Sequence, residues 1–339
     1  MSRPSYFYRN ARAGELLELF LVSAVTSLLT VRFFLHLTGY PSVGGARFHI
    51  AHMLYGGLLM VAALVLLMAF IGSRVQRLAS VIGGLGFGLF IDELGKFITR
   101  DNNYFFQPTI ALIYIVFMLL FVLFRLLSRT RRLSPNEYLL NAITLIEEVA
   151  LDDLDRNERQ RALRYLAKAD PKDPLVAPLR QALLKTPPVN QHPGWLQRWR
   201  RAVERTYERL IATRFGVTVI DAVFIGKAAV FLVAIGLDVA HLASHQFGTN
   251  VGHAALLQLA SSLLSAGLVV IGATQIRRSR LVAYDYFTKS LLIDIFVTQF
   301  FAFYRYQFAA LPGFALNLML YVTIRILRHQ ESHLQSRRS

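Results

Sequence analysis

The chain has 339 residues, 54% of them hydrophobic and only 17% charged, with a net charge of +16 and a mean hydropathy of +0.42. A soluble domain carries nearer a quarter charged residues, so the deficit points to a bilayer as solvent. The absence of cysteine excludes disulfides, thiolate metal sites and thiol nucleophiles. The basic balance matches no zinc-finger spacing, RNP motif or groove-reading helix, so no nucleic-acid partner is expected.

Eight apolar segments are predicted in chain order, approximately Glu15–Leu37, His49–Ile71, Val75–Ile98, Pro108–Leu127, Val217–Leu242, Val251–Ile271, Phe287–Tyr304 and Ala309–Ile326. Asp285, Lys289 and Asp294 interrupt the seventh. Arginine clusters flank alternate ends: Arg3, Arg9 and Arg12; Arg74 and Arg77; Arg125, Arg129, Arg131 and Arg132; Arg277, Arg278 and Arg280; Arg325, Arg328, Arg337 and Arg338. The opposite loops hold only Arg47, Arg100 and Arg305. The positive-inside rule therefore predicts an all-α, multi-pass bundle in the cell membrane with both termini cytoplasmic. The expected organisation is a bundle of spans 1–4 over residues 1–127, a cytoplasmic helical domain over 128–215, spans 5–8 over 216–327 and a basic tail over 328–339. The first apolar segment is too long for a signal-peptide core and reads as a retained span.

Between the fourth and fifth spans the character changes. Ser134-Pro135-Asn136-Glu137 reads as a capping box with proline at the first helical position, opening a helix to about Ala150. Leu139, Leu140, Ile143, Leu145, Ile146 and Val149 form its apolar stripe. Shorter helices are predicted near Asn157–Ala169 and Leu175–Lys185, separated by Asp170-Pro171 and closed by Pro187-Pro188. The stretch Trp195–Phe215 alternates aromatic and aliphatic residues with Arg198, Arg201, Arg205 and Arg209. That pattern fits either a helix on anionic lipid or one that docks the small domain on the bundle.

The orientation gathers scattered polar residues on one side of the membrane. His49 and His52 open the second span on one helix face; Asp92 and Glu93 lie near the outer end of the third, followed by Lys96. Asp238, His241 and His245 close the fifth span on one stripe, and His253 opens the sixth. Imidazoles at such spacing with a neighbouring carboxylate suit zinc or non-haem iron, with His49, His52, Glu93, His241 and His245 as candidate ligands. Glu93 doubles as candidate general base, and Asp92 and Asp238 are candidates for orienting a ligand imidazole. The alternative is structural. Asp92 and Lys96, four apart, are spaced to neutralise one another, and Asp92 and Glu93 point about 100° apart. The paired His-His boxes of membrane di-iron hydroxylases are absent.

Gly84, Gly88, Asp92 and Lys96 recur along one side of the third span, which makes the glycines a packing face and the third helix central. They form no phosphate loop, since the GxGxxG spacing is missing. Lys227 in the fifth span reads as a buried partner for a carboxylate or as snorkelling toward the cytoplasmic face. Asp294 in the seventh, with Thr298 on its face, marks a proton or cation path or an interhelical hydrogen bond.

Three functions are compatible with these residues. One is a scaffold or assembly subunit whose cytoplasmic domain recruits a protein partner through about 134–188. The others are a metal-dependent enzyme acting on a lipid or lipid-linked substrate at the outer leaflet, and a proton- or ion-coupled transporter.

Overall fold

A computed structural model describes residues 7–38, 52–99, 106, 108–128, 133–150, 156–186, 226, 253–276 and 278–336. The regular structure among them is helical: α1 (Ala13–Thr38), α2 (His52–Ala69), α3 (Ser73–Asp92), α4 (Leu94–Ile98), α5 (Thr109–Leu127), α6 (Pro135–Ala150), α7 (Arg156–Leu166) and α8 (Val176–Lys185). There follow α9 (His253–Gln275), α10 (Arg280–Ile293), a π-helical turn (Asp294–Thr298), α11 (Gln299–Tyr306), a 3-10 turn (Gln307–Ala310) and α12 (Leu311–Ser336). The predicted fifth span, Val217–Leu242, and the basic stretch Trp195–Phe215 lie outside the described residues.

Six helical stretches among the described residues are long and apolar enough to cross a membrane: Ala13–Leu35, His52–Ala69, Ser73–Asp92, Thr109–Leu127, Ala254–Gln275 and Arg280–Arg328. Their outward faces are apolar as well. On α2, Leu54, Leu58, Val61, Leu64, Val65 and Met68 are all exposed. A continuous apolar surface of that kind is costly in water and ordinary in lipid. These helices fit a multi-pass membrane protein.

The chain divides into two compact units, one of Met1–Phe106 with Val116–His192 and the other of Gln107–Ile115 with Pro193–Ser339. In the first, α3 packs on both α1 and α2, as the glycine spacing predicts. A methyl group on Gly84 or Gly88 would collide with the backbone carbonyls of Phe20 and Ala24 in α1. A methyl on Gly86 would lie 2.6 Å from the Gly56 carbonyl oxygen in α2, and one on Gly56 would lie 2.6 Å from that of Gly86. Small residues let the backbones approach where the lipid supplies no hydrophobic drive for helices to associate. Ser27 Oγ donates to the Leu85 carbonyl at 2.9 Å across the α1–α3 seam. The sharp reversal from α2 to α3 turns on Gly72 at φ 109°, a left-handed conformation open to glycine.

The insert folds as expected from its capping box. The Glu137 amide donates to Ser134 Oγ at 3.2 Å, and the Ser134 amide donates to Glu137 Oε2 at 2.7 Å. Helices α6, α7 and α8 enclose a core of Leu139, Ala142, Leu145, Ala162, Leu166, Ala169, Val176 and Leu183. Leu140, placed in the apolar stripe by its sequence, is exposed instead. It sits one residue beyond Leu139, about 100° round the helix from the packed face.

In the second unit the final apolar stretch, Arg280–Arg328, has 49 residues. At about 1.5 Å per residue it is more than twice as long as the roughly 30 Å hydrocarbon core. It doubles back. Gln307 takes φ 47° at the 3-10 turn, and Leu320, Ile324 and Leu327 of α12 return to pack with Ala283, Tyr284, Phe287 and Leu291 of α10. Arg328 near the end of α12 lies 3.2 Å from Asp285 near the start of α10, and Lys289 lies 2.9 Å from the same carboxylate. This network corrects the predicted start at Phe287. The helix begins at Arg280, because Asp285 and Lys289 are paired and no longer oppose the segment.

Candidate functional site

The C-terminal end of α3 carries the buried charge. Asp92 and Glu93 are both 0% exposed, and each faces a different neighbour. Asp92 meets Arg32 of α1, whose Nε donates to Asp92 Oδ1 and whose Nη2 donates to the Asp92 backbone carbonyl at 2.8 Å. Glu93 meets the start of α2. The His52 amide donates to Glu93 Oε1 at 2.9 Å, His52 Nδ1 lies 3.1 Å from the same oxygen, and Lys96 Nζ lies 3.4 Å from it. The divergence expected from helical rotation is thereby realised: two adjacent carboxylates tie α3 to two different helices.

The spacing suggests Asp92 with Lys96; the described contacts set Arg32 against Asp92 and Lys96 against Glu93. The local geometry bears on the second. The α-helix breaks at Glu93, with φ −88° and ψ 10°, and the Lys96 amide bonds the Glu93 carbonyl at 3.0 Å as α4 begins. Across the break Lys96 Nζ reaches Glu93 Oε1, and Arg32 bonds Asp92. Arg32 has no place among the residues singled out from sequence. Its signal was available as a lone arginine within the first apolar run, a costly position that calls for a buried partner.

Glu93 Oε1 thus collects donors, whereas Glu93 Oε2 is buried without a hydrogen-bond partner. Among the described residues no group of three or more histidines and carboxylates converges on a point suited to a metal. His49, Asp238, His241 and His245 lie outside the described residues. Of the five candidate ligands the described structure brings together His52 and Glu93, with Lys96 as a third, cationic neighbour.

A second polar region runs through the other unit. Ser265 Oγ and Ser290 Oγ are 2.7 Å apart, and Thr298 Oγ1 donates to Ser261 Oγ at 3.0 Å. Asp294, 1% exposed, begins the π-helical turn, four residues after Ser290 and four before Thr298 in sequence. Thr298, on the Asp294 face, thus makes an interhelical hydrogen bond to α9. Tyr114 OH donates to the Ile295 carbonyl inside the π turn, and Gln299 Nε2 donates to the Ala310 carbonyl at 2.9 Å.

A third relationship escaped sequence reading. The segment before α1 lies on α6: Arg9 Nε lies 3.0 Å from Glu137 Oε1, and the Arg9 amide donates to that oxygen at 3.1 Å. The Ala11 amide donates to Asn141 Oδ1 at 2.7 Å, and Asn141 Nδ2 returns a bond to the Arg9 carbonyl at 2.9 Å. The Arg9 guanidinium, by hydrogen bonding, holds the Glu137 carboxyl down at about 2. The capping box advertises one role for Glu137, and nothing local announces the other, 128 residues away in sequence. No family model, curated protein or solved structure matches the chain.

Proposed function

We propose that this protein is an eight-span membrane scaffold or assembly subunit, with both termini and the helical insert on the cytoplasmic side and a protein partner bound through the insert. The span count takes the Arg280–Arg328 hairpin as two crossings and adds the Val217–Leu242 segment. The orientation rests on the arginine clusters. The domain division at residues 127, 215 and 327 belongs to the same reading.

One observation carries the choice of a scaffold. The ionisable groups at the outer end of α3 are used on one another, Arg32 with Asp92 and His52 with Lys96 on Glu93. Charges so matched fasten helices, and a reacting centre needs groups aimed at a substrate. The insert supports the partner role. It has its own core and presents Leu140, Leu175 and Leu184 to solvent. The metal-enzyme alternative depends on His49, His241 and His245, and on zinc or non-haem iron held with His52 and Glu93.

Deleting residues 135–185 should abolish co-purification of a stoichiometric partner and leave the remaining bundle monodisperse in detergent. An unchanged complex would remove the insert from the recruiting role. Near-stoichiometric zinc or iron in protein purified without chelators, lost in His52→Ala, would replace the scaffold with the metal enzyme.

A further inference from the structure

The charges of the insert are sorted by helix. α6 carries Glu137, Glu147 and Glu148 and no basic residue. α7 carries four arginines, Arg156, Arg159, Arg161 and Arg164, against the single acid Glu158, and α8 carries Arg180 and Lys185 without an acid. Asp170 and Asp173, in the turn between α7 and α8, are engaged on that turn: they accept from the Lys172 and Leu175 amides, each at 2.9 Å. The α7–α8 pair therefore presents a basic surface.

A cleft of about 430 Å³ opens on this surface, lined by Arg156, Arg159, Gln160, Leu163 and Leu184. The first four stand three and four apart along α7 and so share one face of that helix. Leu184 comes from the last turn of α8. Most of the wall is apolar: Leu163 packs on the core of the insert, and Leu184 is 55% exposed. Arg159 is fixed in place. Its Nε donates to the Leu183 carbonyl at 2.7 Å and its Nη2 to the Leu184 carbonyl at 2.9 Å, which satisfies the end of α8 with two of the five guanidinium donors. A guanidinium already held this way loses little freedom on meeting an anion. Arg156, one turn earlier, is exposed.

We infer that this cleft is where the insert takes its partner, and that the partner presents a short acidic segment with a leucine-sized side chain among its carboxylates. The inference rests on the reading of the insert as the recruiting element and names the chemistry recruited. Arginines on one helix face read acidic motifs through charge-assisted hydrogen bonds. Leu163 and Leu184 between them offer an apolar seat that a bare phosphate would leave empty. The concave shape favours a protein segment over a flat lipid surface. Its volume lies toward the lower end of the usual range for ligand pockets, about 300–1,000 Å³, which suits a few side chains of an extended segment.

The test is fluorescence anisotropy of a short fluorescein-labelled peptide of Asp-Asp-Leu repeats, titrated with the purified full chain in neutral detergent. Binding should saturate and weaken with added salt. Arg156→Glu and Leu184→Asn, both at exposed positions, should each weaken it about tenfold, the equivalent of one good contact. Leu175→Asn, exposed on the insert and outside the cleft, should leave it unchanged. Equal binding of a peptide with lysine for aspartate, or with serine for leucine, would overturn the assignment, as would binding untouched by Arg156→Glu and Leu184→Asn. Binding that appears only when Asp152, Asp153 and Asp155 are all changed to asparagine would make the chain's own acidic stretch the occupant and overturn the partner. Failure of the peptide with Arg156-dependent retention of phosphatidylglycerol would make the cleft a lipid site. Loss of a partner on deleting 135–185 without peptide binding would remove the cleft and leave the recruiting role standing; peptide binding with no partner lost on that deletion would do the reverse.

Discussion

Arg32 holds Asp92 twice, by its side chain and by its backbone: Nε donates to the carboxylate and Nη2 to the carbonyl of the same residue at 2.8 Å. The second bond matters because the α-helix ends there. Asp92 is the last residue of α3 and its carbonyl has lost the regular helical partner, so one guanidinium neutralises a buried charge and satisfies a helix terminus together.

Breaking this pair from one side should cost far more than removing it. Arg32→Met removes both donors from the buried Asp92, a loss of roughly 3–5 kcal/mol for breaking a buried pair from one side. The double variant Arg32→Met/Asp92→Leu should recover much of that loss. Thermal unfolding of the four proteins in detergent, read as a double-mutant cycle, checks it. Additive effects would mean the two residues do not act as a pair.

Glycines of α3 and α2 give a contrast inside one bundle. Gly88→Ala should destabilise by about 1–3 kcal/mol, since its methyl meets the Ala24 backbone carbonyl, which cannot move aside alone. Gly57→Ala, with nothing within 4 Å of the added methyl, should be neutral or slightly stabilising. Equal midpoints for the two variants would contradict the close α1–α3 approach.

The N-terminal arm should be acid-sensitive in a defined direction. Glu137 has its carboxyl lowered in the folded state, to about 2, by the Arg9 guanidinium. Its contribution is therefore complete above the ordinary glutamate range and is lost as pH falls through that range toward about 2. Pepsin cleavage near Phe7 should rise over that window in the native sequence. In Glu137→Gln the arm should be open to cleavage at the upper end of the window already.

Sidedness is checked directly, because the chain contains no cysteine. A single cysteine at Leu184, exposed on the insert, should react with a membrane-impermeant maleimide only from the cytoplasmic face. One at Asn102 should react only from outside. Reversed labelling would overturn the orientation and with it the outer position of Glu93.

The Tyr114 hydroxyl reports on the π turn. Tyr114→Phe leaves the Ile295 carbonyl without that donor and should cost about 1 kcal/mol, seen as a lower unfolding midpoint. No change would show that the turn holds without its clasp.

Much of this protein is written locally. Apolar runs near the length of a bilayer, a serine and a glutamate three apart, and glycines four apart each specify a local geometry, so the helices, the capping box of α6 and the packing face of α3 follow from sequence alone. The partners of the buried charges do not. Lys96 and Arg32 are equally cationic to a sequence reader, and only the tertiary structure sets Lys96 against Glu93 and Arg32, 60 residues away, against Asp92. The second role of Glu137 and the return of α12 onto α10 were settled the same way. Each depends on which helix stands opposite, and Coulomb and packing energies act across space between residues whose separation along the chain carries no signal.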